Sequence, residues 1–288
     1  AYEISERYDT PVLFKMCTRI AHSQSVVETG QRMKMPLKSY KKNIPKYVMM
    51  PGNAKGRHPI IEQRTRDLIS YAETTALNRV EPGDTKLGII TSSTSYQYAR
   101  EVFGEKVSIL KLGLVHPLPE KLIKDFAAKV DKLVVLEELD SIIEDHCRRL
   151  GLEITGKDVL PLEGEYSQSL IAEKLGMPVA TGIKIDEDIP PRPPVMCAGC
   201  PHRSIFYILS KNKVTVLGDI GCYTLGAVAP LNSIDLALCM GASVSSIHGF
   251  NKALGKSSEG KTVAVIGDST FMHSGMTGLA NIAYNQSN

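Results

Sequence analysis

Between residues 84 and 151, three short apolar runs alternate with stretches whose apolar residues recur at helical spacing, and no other feature restricts the fold as much. The runs are 87–91, 107–110 and 133–136. The polar segment Ser92-Ser93-Thr94-Ser95 suits the entry to a helix starting near Tyr96, because short hydroxyl side chains satisfy the free N–H groups at helix starts. Pro117 and Pro119 lead into a second helix over 120–130. Leu139, Ile142, Ile143, Cys147 and Leu150 mark the apolar face of a third, which Gly151 ends. This repetition predicts an α/β fold around a parallel sheet. Cys147 is expected to be a packed core thiol.

A second unit of the same kind begins near Val195, with expected strands at 214–217 and 263–266 and helices near 204–209 and 275–284. The run Ile189-Pro190-Pro191-Arg192-Pro193-Pro194 forbids continuous helix. Residues 181–194 therefore read as a linker between a middle domain at 84–180 and the first part of another at 195–288. Residues 11–16 suit a buried strand. A lone strand makes no core, so residues 1–30 read as the tail of a domain whose bulk lies upstream, consistent with a first residue that is Ala1 and not Met.

Charge is unevenly spread. Residues 31–66 hold ten Lys or Arg, among them Lys38, Lys41, Arg57 and Arg64, against the single acid Glu62, in a chain of net charge +3. With Pro36, Pro45, Pro51, Gly52, Gly56 and Pro59, this stretch reads as an irregular basic connector within a linker over 31–83. Such charge attracts phosphates or an acidic partner. No binding motif or aromatic array accompanies it, so nucleic acid is not expected. Hydrophobic residues at 43% and charged residues at 23% exclude a mainly disordered chain. No apolar run approaches the roughly 18–20 residues of a bilayer span, so no membrane association is expected. No basic-then-apolar leader is present, so a cytoplasmic protein is expected.

Four of the six cysteines, Cys197, Cys200, Cys222 and Cys239, fall within 43 residues. Cys197-Ala198-Gly199-Cys200 is a tight turn whose two thiolates can share one metal or cluster. Cys222 follows an expected strand, and Cys239 lies in the apolar run 234–240 and is expected in the core. The pair suits a structural zinc site completed by His202 or Cys222, or an iron–sulfur site, for which three thiolates are well placed and a fourth is wanted. A dithiol opening a helix fits Pro201-His202 poorly, and a turn without metal is the fourth reading. Spacing does not choose among them.

Thr262-Val263-Ala264-Val265-Ile266-Gly267-Asp268-Ser269-Thr270 is a strand followed by a sharp turn of small residues. Gly267 permits close backbone approach, Asp268 offers a hard oxygen suited to Mg²⁺, and Ser269, Thr270 and the helix start can hold diphosphate oxygens. A strand-end Gly-Asp pair also caps helices with no ligand.

Gly267-Asp268-Ser269 after an apolar strand resembles the first half of the thiamine diphosphate motif. In that pattern a more distant Asn supplies the second Mg²⁺ ligand; Asn285 and Asn288, only 17 and 20 residues past Asp268, stand too close and neither is assigned. Three segments occur in order: Cys197-Ala198-Gly199-Cys200-Pro201-His202-Arg203, Gly218-Asp219-Ile220-Gly221-Cys222-Tyr223-Thr224-Leu225-Gly226, and Gly267 to Gly275. Together they resemble the alpha subunits of the indolepyruvate:ferredoxin oxidoreductases, anaerobic thiamine-dependent 2-oxoacid oxidoreductases. Leu112-Gly113-Leu114-Val115-His116-Pro117-Leu118-Pro119, Arg57-His58, and Thr18-Arg19 with His22-Ser23 extend the resemblance over essentially the whole chain.

The resemblance implies parallel-sheet, three-layer α/β domains of the thiamine diphosphate-binding type. Residues 1–30 would end the pyrimidine-binding domain, whose activating Glu lies upstream. Residues 84–180 would be a transketolase C-terminal-like domain. The second Mg²⁺ ligand and a ferredoxin-like module would follow residue 288. It further implies oxidative decarboxylation of aryl pyruvates such as indolepyruvate, with the acyl group passed to coenzyme A and electrons passed through [4Fe-4S] clusters to ferredoxin, in partnership with a beta subunit. Asp268 would hold Mg²⁺, with Gly221, Cys222, Gly241, Gly267, Ser269 and Thr270 around the cofactor. Cys197, Cys200 and Cys222 would be cluster ligands. Arg19, His202, His248 and His273 are candidates for substrate or proton handling, and the basic linker for the phosphates of coenzyme A. A thiamine-dependent non-oxidative decarboxylase and a zinc-stabilised assembly subunit are the competing readings.

Overall fold

The computed structural model describes residues 1–287 except 33, 35, 38, 180, 181 and 183–185. Lys38, Asn288 and part of the 181–194 linker therefore lie outside the described residues. The chain forms two compact units, Ala1–Ile183 and Lys184–Asn288.

The first unit opens with helices α1 (Tyr2–Tyr8), α2 (Thr18–His22), α3 (Ile44–Tyr47) and α4 (Pro51–Thr74). Residues 11–16 form no strand: Leu13 is 89% and Phe14 75% exposed. Among the described residues no strand pairs with this run, and an apolar sequence alone does not make a ladder. The connector expected over 31–66 also fails in part, since α4 is a continuous 24-residue helix from Pro51. Proline at the first helical position loses no hydrogen bond, so Pro51 starts the helix, which then runs on through Gly52, Gly56 and Pro59. Near its end, the Glu73 carboxylate accepts the N–H groups of Lys121 (2.9 Å) and Leu122 (2.7 Å).

Strands β1 (Asn78–Glu81), β2 (Gly88–Ser92), β3 (Ser108–Leu112) and β4 (Leu133–Leu136) form a sheet in the order β1-β3-β2-β4. Strands β2, β3 and β4 are parallel, and β1 pairs antiparallel to β3. Helices α5 (Ser93–Phe103), α6 (Glu120–Ala127), α7 (Ile142–Arg149) and α8 (Gln168–Lys174) complete three layers. Ile89, Ile109 and Val134 pack with Ala99 and Phe103 of α5 and Ile171 of α8. Their neighbours Ile90, Leu110 and Val135 pack on the other face with Ile123 and Phe126 of α6 and Ile143 and Cys147 of α7. A sheet covered on both faces favours apolar residues on both, which is why these strands read as near-continuous apolar runs.

Cys147 is fully buried, and burial pushes its thiol up to about 12. Since the thiolate is the reactive form, native protein at pH 8 is expected to alkylate at Cys197, Cys222 and Cys239, which are exposed, while Cys147 reacts only after unfolding. Peptide mapping of native and denatured samples checks this, and early labelling of Cys147 would contradict the packing described.

The second unit holds α9 (His202–Asn212), β5 (Thr215–Gly218), β6 (Leu236–Ala237), α10 (Ala242–Leu254), β7 (Thr262–Ala264), the short α11 (Asp268–Thr270), a π-helical turn (Phe271–Gly275) and α12 (Met276–Tyr284). The sheet order is β6-β5-β7, all parallel. Met196, Phe206 and Tyr223 centre its core, with Leu209, Leu225 and Val265 packed around them. Cys239 is exposed, not in the core as its apolar run suggests. That run yields only the two-residue β6 before the chain turns outward, leaving Leu238 and Met240 exposed as well. Helix α9 begins at His202 with Pro201 as its N-cap, a place where proline breaks no helical hydrogen bond, so the C-x-x-C pair precedes the helix and lies outside it. Among the described residues no helix is long and apolar enough to cross a membrane.

Candidate functional site

Three turns leave the carboxyl ends of the parallel strands in the second unit. One runs from Asp219 to Tyr223 after β5, one brings Gly241 to the head of α10 after β6, and one runs from Gly267 to Thr270 after β7. From β5 the chain goes to β6 on one side and returns through α10 to β7 on the other. The turns after β5 and β7 thus stand on neighbouring strands at the carboxyl edge, where parallel sheets place ligands.

Asp219 is wholly buried at the end of β5. Its Oδ2 accepts the N–H of Gly241 (2.8 Å), the N–H of Ser243 (3.3 Å) and the Ser243 hydroxyl (2.9 Å), and its Oδ1 accepts the Ile220 N–H (2.9 Å). A carboxylate thereby meets the positive end of α10 and satisfies donors that the helix cannot. The Thr224 hydroxyl donates to the Asp219 carbonyl (2.6 Å) and accepts the Gly221 N–H (3.0 Å), closing the first turn. Sequence reading gave Asp219 no role; its signal was an acid directly following a strand's last apolar residues.

Gly241 adopts φ +86°, and a Cβ there would stand 2.6 Å from the Ser274 Cβ and 3.0 Å from its backbone. Left-handed backbone costs an L-residue about 1–2 kcal/mol before any clash is counted. Gly241→Ala is therefore expected to destabilise the second unit by about 2 kcal/mol or more, measured by chemical denaturation; an unchanged midpoint would contradict the close approach of α10 to the 271–275 turn.

Asp268 is exposed, with Oδ1 accepting the Ser269 N–H (2.8 Å). Ser269 is exposed, whereas the Thr270 side chain is buried at 6% exposure. The Gly267 carbonyl accepts the Phe271 N–H (2.8 Å), and the Gly267 N–H donates to the Tyr223 hydroxyl (3.0 Å). Gly221 and Cys222 are exposed in the first turn. The carboxyl edge of one sheet thus carries Gly221, Cys222, Gly241, Gly267, Asp268, Ser269 and Thr270.

The other candidates are placed differently. The His202 ring meets the edge of Tyr223 with centroids 5.8 Å apart. His273 is exposed, its Nδ1 beside the Ser274 hydroxyl (2.6 Å), and His248 contacts the Ser287 hydroxyl. Arg19 belongs to the first unit, where it pairs with Glu165 (2.5 Å) and lies 5.5 Å over the Tyr98 ring. The 197–200 turn is closed by the Cys200 N–H donating to the Cys197 carbonyl (3.2 Å), with Gly199 at φ +74°. Arg203 Nε holds the same carbonyl (3.0 Å). Among the described residues no three of His, Cys, Asp and Glu are grouped closely enough to hold a metal ion. Cys197, Cys200 and Cys222 are therefore not gathered into a ligand set for iron–sulfur or for zinc.

The crevice residues do fit a magnesium diphosphate. An exposed carboxylate at a strand end supplies a hard oxygen donor, with the exposed Ser269 directly beside it.

Residues 219–288 match the family model described as thiamine pyrophosphate enzyme, C-terminal TPP binding domain. Over 99% of its length the chain is 36% identical to indolepyruvate oxidoreductase subunit IorA of Archaeoglobus fulgidus. This chain is similar to the IorA subunits along almost its whole length. It is also 34% identical, again over 99% of its length, to the IorA of Methanothermobacter thermautotrophicus. It spans about half of each IorA, 49% and 50%. A solved 2-oxoglutarate:ferredoxin oxidoreductase from Magnetococcus marinus is similar over 44% of this chain and 23% of that one, at 18% identity and a TM-score of 0.34, too low to carry an argument about the site. The three-layer sheet and the matched domain give the IorA relative an α/β fold of the thiamine pyrophosphate enzyme type.

Proposed function

We propose that this chain supplies the cofactor-holding part of a thiamine diphosphate-dependent 2-oxoacid:ferredoxin oxidoreductase that acts on aryl pyruvates such as indolepyruvate. The observation that carries this reading is the exposed Asp268, set at the end of β7 within the matched domain and tied through Gly267 to the turn after β5. Asp268 would provide one Mg²⁺ ligand. Ser269 would offer its hydroxyl to the diphosphate, and Thr270, with its side chain buried, its backbone N–H. Gly221 and Cys222 would face the cofactor from the neighbouring turn, and Gly241 lets α10 approach closely.

Bound thiamine diphosphate supplies a nucleophilic carbon that adds to the keto group and an electron sink that lets CO₂ leave. The chain's own part is to neutralise and fix the diphosphate, so that the reactive end is held at one place. Across the whole protein, the 2-oxoacid would lose CO₂ and two electrons, coenzyme A would accept the acyl group, and ferredoxin the electrons. A beta subunit would be the partner. No electron step is assigned to Cys197, Cys200 or Cys222, because they do not form a ligand set as placed.

The test is ferredoxin reduction by the full-length protein with its partner subunit, supplied with indolepyruvate, pyruvate or 2-oxoglutarate, with and without coenzyme A. Reduction that requires coenzyme A and is fastest with indolepyruvate is expected. Decarboxylation to an aldehyde without ferredoxin reduction would overturn the oxidative reading.

A further inference from the structure

Three sequence segments that are far apart in the chain meet at one side chain. Tyr223 is 8% exposed and lies between the turn after β5 and the turn after β7. Its hydroxyl donates to the Ile220 carbonyl in the first turn (3.1 Å) and accepts the Gly267 N–H at the head of the second (3.0 Å). Its ring fills the space between them: a Cβ on Gly221 would stand 2.4 Å from the ring, and a Cβ on Gly267 would stand 2.9 Å from it. The ring also packs against His202, the first residue of α9, with centroids 5.8 Å apart.

Both hydrogen-bonding functions of the hydroxyl are therefore used, one toward each turn. The ring is trapped by two backbones that tolerate no side chain at the facing positions.

We propose that Tyr223 is a positioning residue: its hydroxyl fixes the separation of the 219–223 turn from the 267–270 turn, and so sets where Asp268 stands relative to Gly221 and Cys222. This rests on the reading of the crevice as a magnesium diphosphate site. It gives Tyr223 a role in cofactor affinity although Tyr223 is itself buried. Removing the hydroxyl frees the Gly267 N–H and the Ile220 carbonyl, and the two turns lose their common anchor while the ring and its packing remain.

The test is Tyr223→Phe in the full-length protein, read by calorimetric titration of thiamine diphosphate at fixed Mg²⁺ and by the thermal midpoint of the cofactor-free protein. The expected result is a dissociation constant raised about 10-fold, with the cofactor-free midpoint lowered by only a few degrees. His202→Leu, which removes the ring contact and keeps both hydrogen bonds, is expected to weaken binding less. Equal affinity in Tyr223→Phe and unaltered protein would overturn the proposal. So would a fall in the cofactor-free midpoint large enough to account for the whole loss of binding, since that would assign Tyr223 to the fold alone. Failure of the unaltered protein to bind overturns the crevice reading itself and is distinguishable from both.

Discussion

Asp268→Ala is expected to abolish Mg²⁺-dependent thiamine diphosphate binding while leaving the second unit folded. The two effects separate because of where Asp268 stands. Its side chain is exposed, and its carboxylate accepts the N–H of the adjacent Ser269. Losing a first-turn acid of this kind costs about 0.3–1 kcal/mol of stability. On the proposed reading, the same carboxylate would be a ligand to the Mg²⁺ that neutralises the diphosphate. Outer-shell partners of metal sites are worth roughly 10–100-fold in affinity, so a direct ligand is expected to be worth about 100-fold or more. Asp268→Asn keeps the hydrogen bond and removes the charge, and is expected to bind nearly as poorly. Titration calorimetry together with circular dichroism checks both halves. Loss of the fold in Asp268→Ala, or retained affinity, would contradict the placement.

Asp219→Ala is expected to do the reverse and act first on stability. Asp219 is wholly buried and accepts from four donors on three residues. Truncation leaves the N–H groups of Gly241 and Ser243 and the Ser243 hydroxyl without their partner at the start of α10. An unsatisfied buried donor costs about 1–3 kcal/mol, so a net loss of about 3 kcal/mol is expected. For a unit of this size that lowers the thermal midpoint by roughly 12–24 °C. Asp219→Asn retains one oxygen acceptor and is expected to lose about half as much. Cofactor binding weakens as a consequence, because Gly241 and the start of α10 are no longer held against the turn after β5. A midpoint within a few degrees of the unaltered protein would show that α10 is held by other means.

What the sequence revealed and what it concealed follow from the range of the interactions involved. Strands β2, β3 and β4 are legible because a sheet covered on both faces favours near-continuous apolar runs, and 87–91, 107–110 and 133–136 are such runs. Strand β1 was missed. It is an edge strand, Asn-Arg-Val-Glu, with Arg79 and Val80 exposed, and its antiparallel pairing to β3 leaves no local pattern. The prolines and glycines of helix α4 look like breakers and hide it in the sequence, although Pro51 sits at the one helical position where proline is at ease.

Helix α10 escaped for a related reason. Its sequence has no N-cap residue of the usual kind: Gly241 occupies that position in a left-handed conformation. The capping oxygen comes instead from Asp219, 22 residues earlier. Asp268, Gly267 and Ser269 could be singled out because strand, turn and chemistry are contiguous there. Asp219 and Tyr223 could not, because their partners are brought together only when the sheet forms. Cys239 misled in the opposite sense, since an apolar run without a neighbouring strand gives little burial.

The most direct test of the account is titration of the full-length protein with thiamine diphosphate, with Mg²⁺ present and with Mg²⁺ removed by chelation, for the unaltered sequence and for Asp268→Ala. Saturable binding that requires Mg²⁺ and disappears in Asp268→Ala is expected. No binding by the unaltered protein, or binding indifferent both to chelation and to the loss of Asp268, would contradict it.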